Sequence, residues 1–269
     1  MLRRDACAPL QILLFSHDPD YATAAVAAGV DAIIVDWEWD GKLERQFTRD
    51  TEINRGTEND LVQVRRHVAG HVICRINNVI GKRAAELRRA VELGADEILL
   101  PMVRSVSEVE ECLSGLPRHC KLGILVETVE AFDLAEQLMQ FPLSRMYVGL
   151  NDLQISTRGA SLFDPLCNGM VETFRSKYKG AFGFAGVTRP DRGYPISCRL
   201  LLGEMARQSC DFAVARRSFR ADVPQADLCG AINAIRTCYA EMLRRDAARV
   251  ADDHRLLCGQ TARLGTRES

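Results

Sequence analysis

The chain lacks the features that would send it to a membrane, a nucleic acid or a zinc site. No apolar run reaches the ~18 residues that a membrane-spanning helix needs. Charge of neither sign dominates: 35 Lys and Arg stand against 36 Asp and Glu, so neither nucleic acid nor an anionic membrane is the expected partner. The 10 cysteines include no Cys-x-x-Cys pair, which argues against a zinc ribbon. Most fall on apolar faces and are expected to be reduced thiols in a cytoplasmic protein. The first apolar run ends in Phe15-Ser16-His17-Asp18-Pro19. No Gly-x-Gly-x-x-Gly follows it, which argues against a dinucleotide fold. The first residues are basic, but the apolar stretch at 9–16 is too short to read as a signal peptide.

What is present is alternation. Short apolar runs at 10–16, 32–38, 72–77, 97–103, 122–127, 145–151, 181–188 and 211–216 read as buried strands. Between them lie amphipathic helices at 19–29, 59–69, 82–94, 105–116, 128–140, 164–179, 196–209 and 224–245. Ser105-Val106-Ser107-Glu108 has the form of a capping box. Gly29, Gly94 and Gly180 stand where helices should end. Eight strands, each followed by a helix, predict an α/β fold, a closed (β/α)8 TIM barrel, which typically takes about 250 residues. A single barrel domain is expected over 1–246, with a charged, loosely packed tail or arm over 247–269. The one long connection, 39–58, is polar and is expected to be functional.

In such a barrel the site is built where the strands end. Acidic ends come from strand two (Asp36, Glu38), strand five (Glu127) and strand six (Asp152). Arginines come from strand three (Arg75), strand four (Arg104), strand seven (Arg189) and strand eight (Arg216, Arg217). Glu127 and Asp152 would repel one another unless a cation lies between them, and a hard divalent ion with oxygen ligands suits the pair. Neighbours in a strand face opposite ways, so at most one of Arg216 and Arg217 is expected inside. Arg216 is the candidate for a phosphate or second carboxylate. No lysine ends a buried strand and Lys42 lies on the long connection, so a metal-dependent route is favoured over a Schiff base.

Five pieces recur in a recognisable order: Asp36-x-Glu38, Cys74-Arg75-Ile76-Asn77, Gly94-Ala-Asp-Glu-Ile-Leu-Leu-Pro101, Leu125-Val126-Glu127-Thr128 and Gly149-Leu150-Asn151-Asp152-Leu153. Together, over residues 10–220, they resemble the HpcH/HpaI aldolase and citrate lyase beta-subunit family, whose barrels belong to the phosphoenolpyruvate/pyruvate-binding superfamily. The resemblance implies a carbon–carbon lyase or aldolase using Mg2+ or Mn2+. It implies Glu127 and Asp152 as metal ligands and Arg75 beside the substrate carbonyl and carboxylate. The backbone of Gly149, Leu150 and Asn151 would hold the carboxylate, and Asp36 and Glu38 would order metal-bound water. The partners it implies are a ketoacid and an aldehyde, and a homo-oligomer, trimer or hexamer. Two positions depart from the pattern. Trp39 stands where the ketoacid aldolases carry His and the citrate lyase branch Asp, leaving His17, Glu38 or metal-bound water as proton carriers. Met102 stands where the citrate lyase branch tends to carry Lys. An acyl-CoA lyase or hydrolase is the alternative reading, and a barrel binding an anionic metabolite without turnover is another.

Overall fold

The computed structural model describes residues 9–39 and 56–265. Most of the long connection at 39–58, with Lys42, lies outside them, as do Cys7 and the basic start. The strands are β1 (Gln11–Phe15), β2 (Ala32–Asp36), β3 (His71–Arg75), β4 (Glu97–Leu100), β5 (Lys121–Val126), β6 (Arg145–Val148), β7 (Phe182–Val187) and β8 (Phe212–Ala215). They close in chain order into a parallel barrel, sealed by the pairing of Leu13 with Val214. The fold is the expected (β/α)8 barrel.

Alternation along each strand divides the core in two. Ile33, Val72, Ile98, Ile124 and Met146 face the helices, while Ile34, Ile73, Leu99, Leu125, Tyr147 and Phe212 fill the barrel interior. The same period of two dictates what stands above that interior layer. Two residues past Ile34, Ile73, Leu125 and Tyr147 come Asp36, Arg75, Glu127 and Gly149. Strand register alone therefore carries these four positions to the C-terminal mouth.

Two residues below the layer the interior is charged. Glu97 is fully buried. It accepts from Arg145 Nε at 2.7 Å and Nη2 at 2.9 Å, and from Ser144 Oγ at 2.7 Å; His71 Nε2 lies 2.9 Å away. Arg145 also stacks 5.2 Å over the Phe212 ring. Gly123 makes the room, since a Cβ there would stand 2.8 Å from Glu97 Oε1. Burial would raise the Glu97 carboxyl, but hydrogen bonds from His71 and Arg145 outweigh it and hold the group at about 2, below its usual 4.5. A carboxyl depressed in the folded state stabilises above its ordinary value, and that contribution is lost as pH falls through the depressed one. Glu97→Gln is therefore expected to lower the unfolding free energy by about 3 kcal/mol at neutral pH. The deficit should shrink between pH 4.5 and 2, as read from urea titrations at several pH values.

Several elements differ from the sequence reading. Strand six ends at Val148, and a helix, Leu150–Thr157, begins directly after Gly149; Asn151 and Asp152 thus lie in its first turn rather than on the strand. The helix expected at 164–179 is split into Asp164–Cys167 and Met170–Lys177 by Gly169, whose φ is 84°. The tail is not loosely packed. Residues Ala247–Gly265 form a helix that buries Leu257 completely and is tied down by Arg245, which bonds both Asp253 and the Gly203 carbonyl. Other punctuation holds: Glu108 accepts the Ser105 N–H, and Gly29 and Gly94 take φ of 105° and 95° at helix ends. Among the described residues no helix is long and apolar enough to cross a membrane.

Candidate active site

Arg75 is the hub of the mouth. Its Nε and Nη2 donate to the two oxygens of Asp36 at 2.8 and 2.6 Å, a two-pronged pairing that only a planar fork can make. Its third nitrogen, Nη1, lies 3.1 Å from Glu38 Oε2. The Phe15 ring stacks beneath it at 4.9 Å. Burial alone would lower the Arg75 pKa, but the charges of Asp36 and Glu38 raise it well above its usual value. The guanidinium is thus a fixed positive charge.

The segment carrying Glu38 is clamped from strand three. Asn77 Oδ1 accepts the Trp39 N–H at 3.0 Å and its Nδ2 donates to the Trp37 carbonyl at 2.9 Å. Asn77 is itself held by Glu86, which takes its backbone N–H at 2.9 Å. Trp37 is buried and donates its indole N–H to the Thr57 carbonyl at 2.9 Å. Trp39 is 46% exposed, so it stands at the rim rather than in the acid–base position. His17 accepts the Asp36 backbone N–H through Nε2 at 3.0 Å. An imidazole nitrogen occupied in that way carries its proton on the other nitrogen and cannot take a second until the bond breaks.

Glu127 sits across the mouth, buried to 2% exposure. Its Oε1 accepts the Met102 N–H at 2.8 Å; Met102 turns to a left-handed φ of 50°, a strained conformation for such a side chain. The carboxylate lies on the backbone of Gly149, where a Cβ would come 2.2 Å from Oε2. Only glycine leaves that space. Burial pushes the Glu127 carboxyl well above the usual range; the charges of Asp152 and Glu38 push it further, and Arg75 opposes them. Asp152, also buried, therefore stands close to Glu127 although it comes from a helix.

The Leu150–Thr157 helix opens toward the same space with Gly149 as its N-cap. The first backbone N–H groups of a helix have no intrahelical partner and favour an anion. A second observation points the same way. The buried Asn151 side-chain Nδ2 finds no hydrogen-bond partner among the described residues, which leaves a donor at this turn for a ligand oxygen.

The two arginines after strand eight have different surroundings. Arg216 donates Nη2 to the Tyr194 carbonyl at 3.1 Å, and its charge acts on the Cys198 thiol, outside the barrel. Arg217 acts inward. Burial raises the Tyr147 phenol, while the positive charges of Arg75 and Arg217 pull it the other way. Arg189 pairs with Asp191 at 3.1 Å, and Arg104 with Glu130 at 2.6 Å.

The donor set fits a hard divalent ion. Asp36, Glu38 and Glu127 act on one buried guanidinium, and Glu127 is also repelled by Asp152. Among the described residues no group of three or more His, Cys, Asp or Glu side chains forms a cage. An ion here would be held by two carboxylates with water and substrate completing its shell, the arrangement Mg2+ prefers.

The chain is thus a (β/α)8 barrel with its polar groups gathered at the C-terminal face, the end at which barrels of this class build their sites. Among solved structures it is similar to RipC from Yersinia pestis, with a TM-score of 0.55 over 90% of this chain and 98% of that one, at 16% identity. At that identity the likeness speaks for the fold. No family model and no curated protein matches the sequence.

Proposed function

We propose that this barrel is a divalent-metal-dependent carbon–carbon lyase or aldolase acting on a small ketoacid. The observation that carries the reading is Glu127. It is a buried carboxyl pressed against a second acid, seated where even a methyl group would not fit, and beside an arginine already engaged by other acids. Such an arrangement is costly unless a cation neutralises it.

Glu127 and Asp152 would hold Mg2+ or Mn2+, which supplies Lewis acidity toward a bound carbonyl oxygen. The substrate carboxylate lies at the N-terminus of the Leu150–Thr157 helix, taken by the amides of Leu150 and Asn151 and by Asn151 Nδ2. Arg75 sets its positive charge where negative charge develops on the carbonyl oxygen as the carbon–carbon bond breaks. Glu38, held by the Asn77 clamp, takes the hydroxyl proton at Oε2. His17 and Asp36 position strand two and the Arg75 fork rather than carrying protons themselves.

Pyruvate is the probe for the half-reaction. With Mg2+ the protein is expected to exchange the pyruvate methyl protons for deuterium, followed by proton NMR, and EDTA should abolish the exchange. No metal-dependent exchange with pyruvate or its small homologues would overturn the reading. Arg217 then becomes the candidate for the distal end of the substrate. Arg217→Gln is expected to lower kcat/KM for condensing pyruvate with the carboxylated aldehyde glyoxylate ~10-fold more than for the neutral glycolaldehyde. An equal loss for both would remove Arg217 from that role.

A further inference from the structure

Away from the mouth, two thiols, an imidazole and a carboxylate meet where the C-terminal helix docks on the barrel. Cys167 ends the Asp164–Cys167 helix. His254 and Cys258 lie one turn apart on the Ala247–Gly265 helix and so share a face. Glu204 comes from the Cys198–Arg207 helix and is buried.

The contacts run in one direction. Glu204 is fixed by Arg207, whose Nε and Nη2 donate to its two oxygens at 2.9 and 2.8 Å, and by Gln208 Nε2 at 2.9 Å. His254 Nδ1 lies 3.0 Å from Glu204 Oε2. An ionised carboxylate only accepts, so Nδ1 carries the proton and Nε2 presents its lone pair. That lone pair faces the Cys258 Sγ at 3.6 Å. Cys167 donates its thiol to Thr261 Oγ1 at 3.6 Å, and Thr261 stands three residues after Cys258 on the same face of the C-terminal helix, which sets the two thiols side by side. An acid that orients an imidazole, which faces a thiol, is the arrangement that activates a cysteine. Docking a helix would require only the ion pair.

We propose that Cys258 is a peroxide-reactive thiol and Cys167 its resolving partner, so that oxidation joins the C-terminal helix to the barrel by an intrachain disulfide. In the first step His254 Nε2 takes the Cys258 proton. The thiolate sulfur attacks one oxygen of hydrogen peroxide and the O–O bond breaks. The departing hydroxide recovers the proton from the imidazolium and leaves as water, with Cys258 as a sulfenic acid. In the second step the Cys167 sulfur attacks the Cys258 sulfur. The S–O bond breaks, and hydroxide leaves with the Cys167 proton as a second water. Two thiols lose two electrons and one peroxide gains them. The order follows from the surroundings: Cys258 has the imidazole beside it, whereas burial pushes the Cys167 thiol up to about 12. Both residues are only partly buried, which leaves room for an oxidant as small as peroxide. This inference is independent of the chemistry assigned to the mouth.

The test uses the full chain and hydrogen peroxide, with the exposed Cys229 as an internal reference. Peptide mass spectrometry over time is expected to show a Cys167–Cys258 disulfide forming at least tenfold faster than any oxidation of Cys229. In Cys167→Ser, a dimedone adduct should accumulate at Cys258. In His254→Gln, the Cys258 reaction should slow at least tenfold. Oxidation of Cys258 no faster than Cys229, a different pairing, or an unchanged rate in His254→Gln would each overturn the proposal. The wild-type comparison decides it even where a variant fails to fold.

Discussion

Glu127→Gln is expected to yield a protein that is more stable than the wild type in EDTA and nearly inactive in Mg2+. The two effects share one cause. In the ion-free protein the Glu127 carboxyl is raised well above its usual value, first by burial and then by Asp152 and Glu38. A carboxyl raised in the folded state weakens folding at every pH above its ordinary value, because ionisation is easier in the unfolded chain. The amide removes that penalty and still offers an oxygen to the Met102 N–H. A gain of about 1–2 kcal/mol is the usual size when a functional strain is relieved. The same substitution removes a charged ligand, so proton exchange from pyruvate should fall ~10³-fold. Thermal melts with EDTA and with MgCl2 check both halves: the wild type should gain stability from Mg2+ by mass action and the variant should not. Equal metal shifts in the two proteins would take Glu127 out of the metal site.

Arg75→Lys should fail for a geometric reason. Lysine keeps the charge but has a single nitrogen, and Arg75 uses three: two on Asp36 and one beside Glu38. A lysine serving one acid leaves the other buried and poorly compensated, and it loses the planar stack on Phe15. A stability loss of about 2 kcal/mol is expected, with kcat/KM reduced ~10²-fold or more. Near-native kinetics would mean that the developing charge is stabilised elsewhere.

The barrel was legible because its strands are short apolar runs, each closed by a polar residue and followed by an amphipathic helix. The ends of those runs then pointed to Asp36, Arg75 and Glu127. Asp152 was read at the right place in space but on the wrong element. Gly149-Leu150 continues the apolar run of strand six, and nothing local marks the switch to a helix. The Asn77 clamp and the orphaned Asn151 amide depend on contacts between distant segments that no spacing reveals. Glu97 and Arg145 looked like ordinary polar flanks. The available signal was that acid and base stand at the starts of strands separated by one strand whose facing residue is Gly123. The tail seemed too charged to pack, yet Leu257 and the charges of Arg245, Asp253 and His254 fit it to the barrel.

The buried pair of Glu97 and Arg145 also determines how molecules travel. With Phe212 and Tyr147 meeting edge to face above it at 6.3 Å, the described residues pack the floor of the barrel shut below the mouth. Under the proposed reaction, the molecule seated deepest, against Glu127 and the helix that follows Gly149, would leave after its shallower companion. Departure in sequence would then follow from the architecture of that proposed site, before any rate of chemistry is considered.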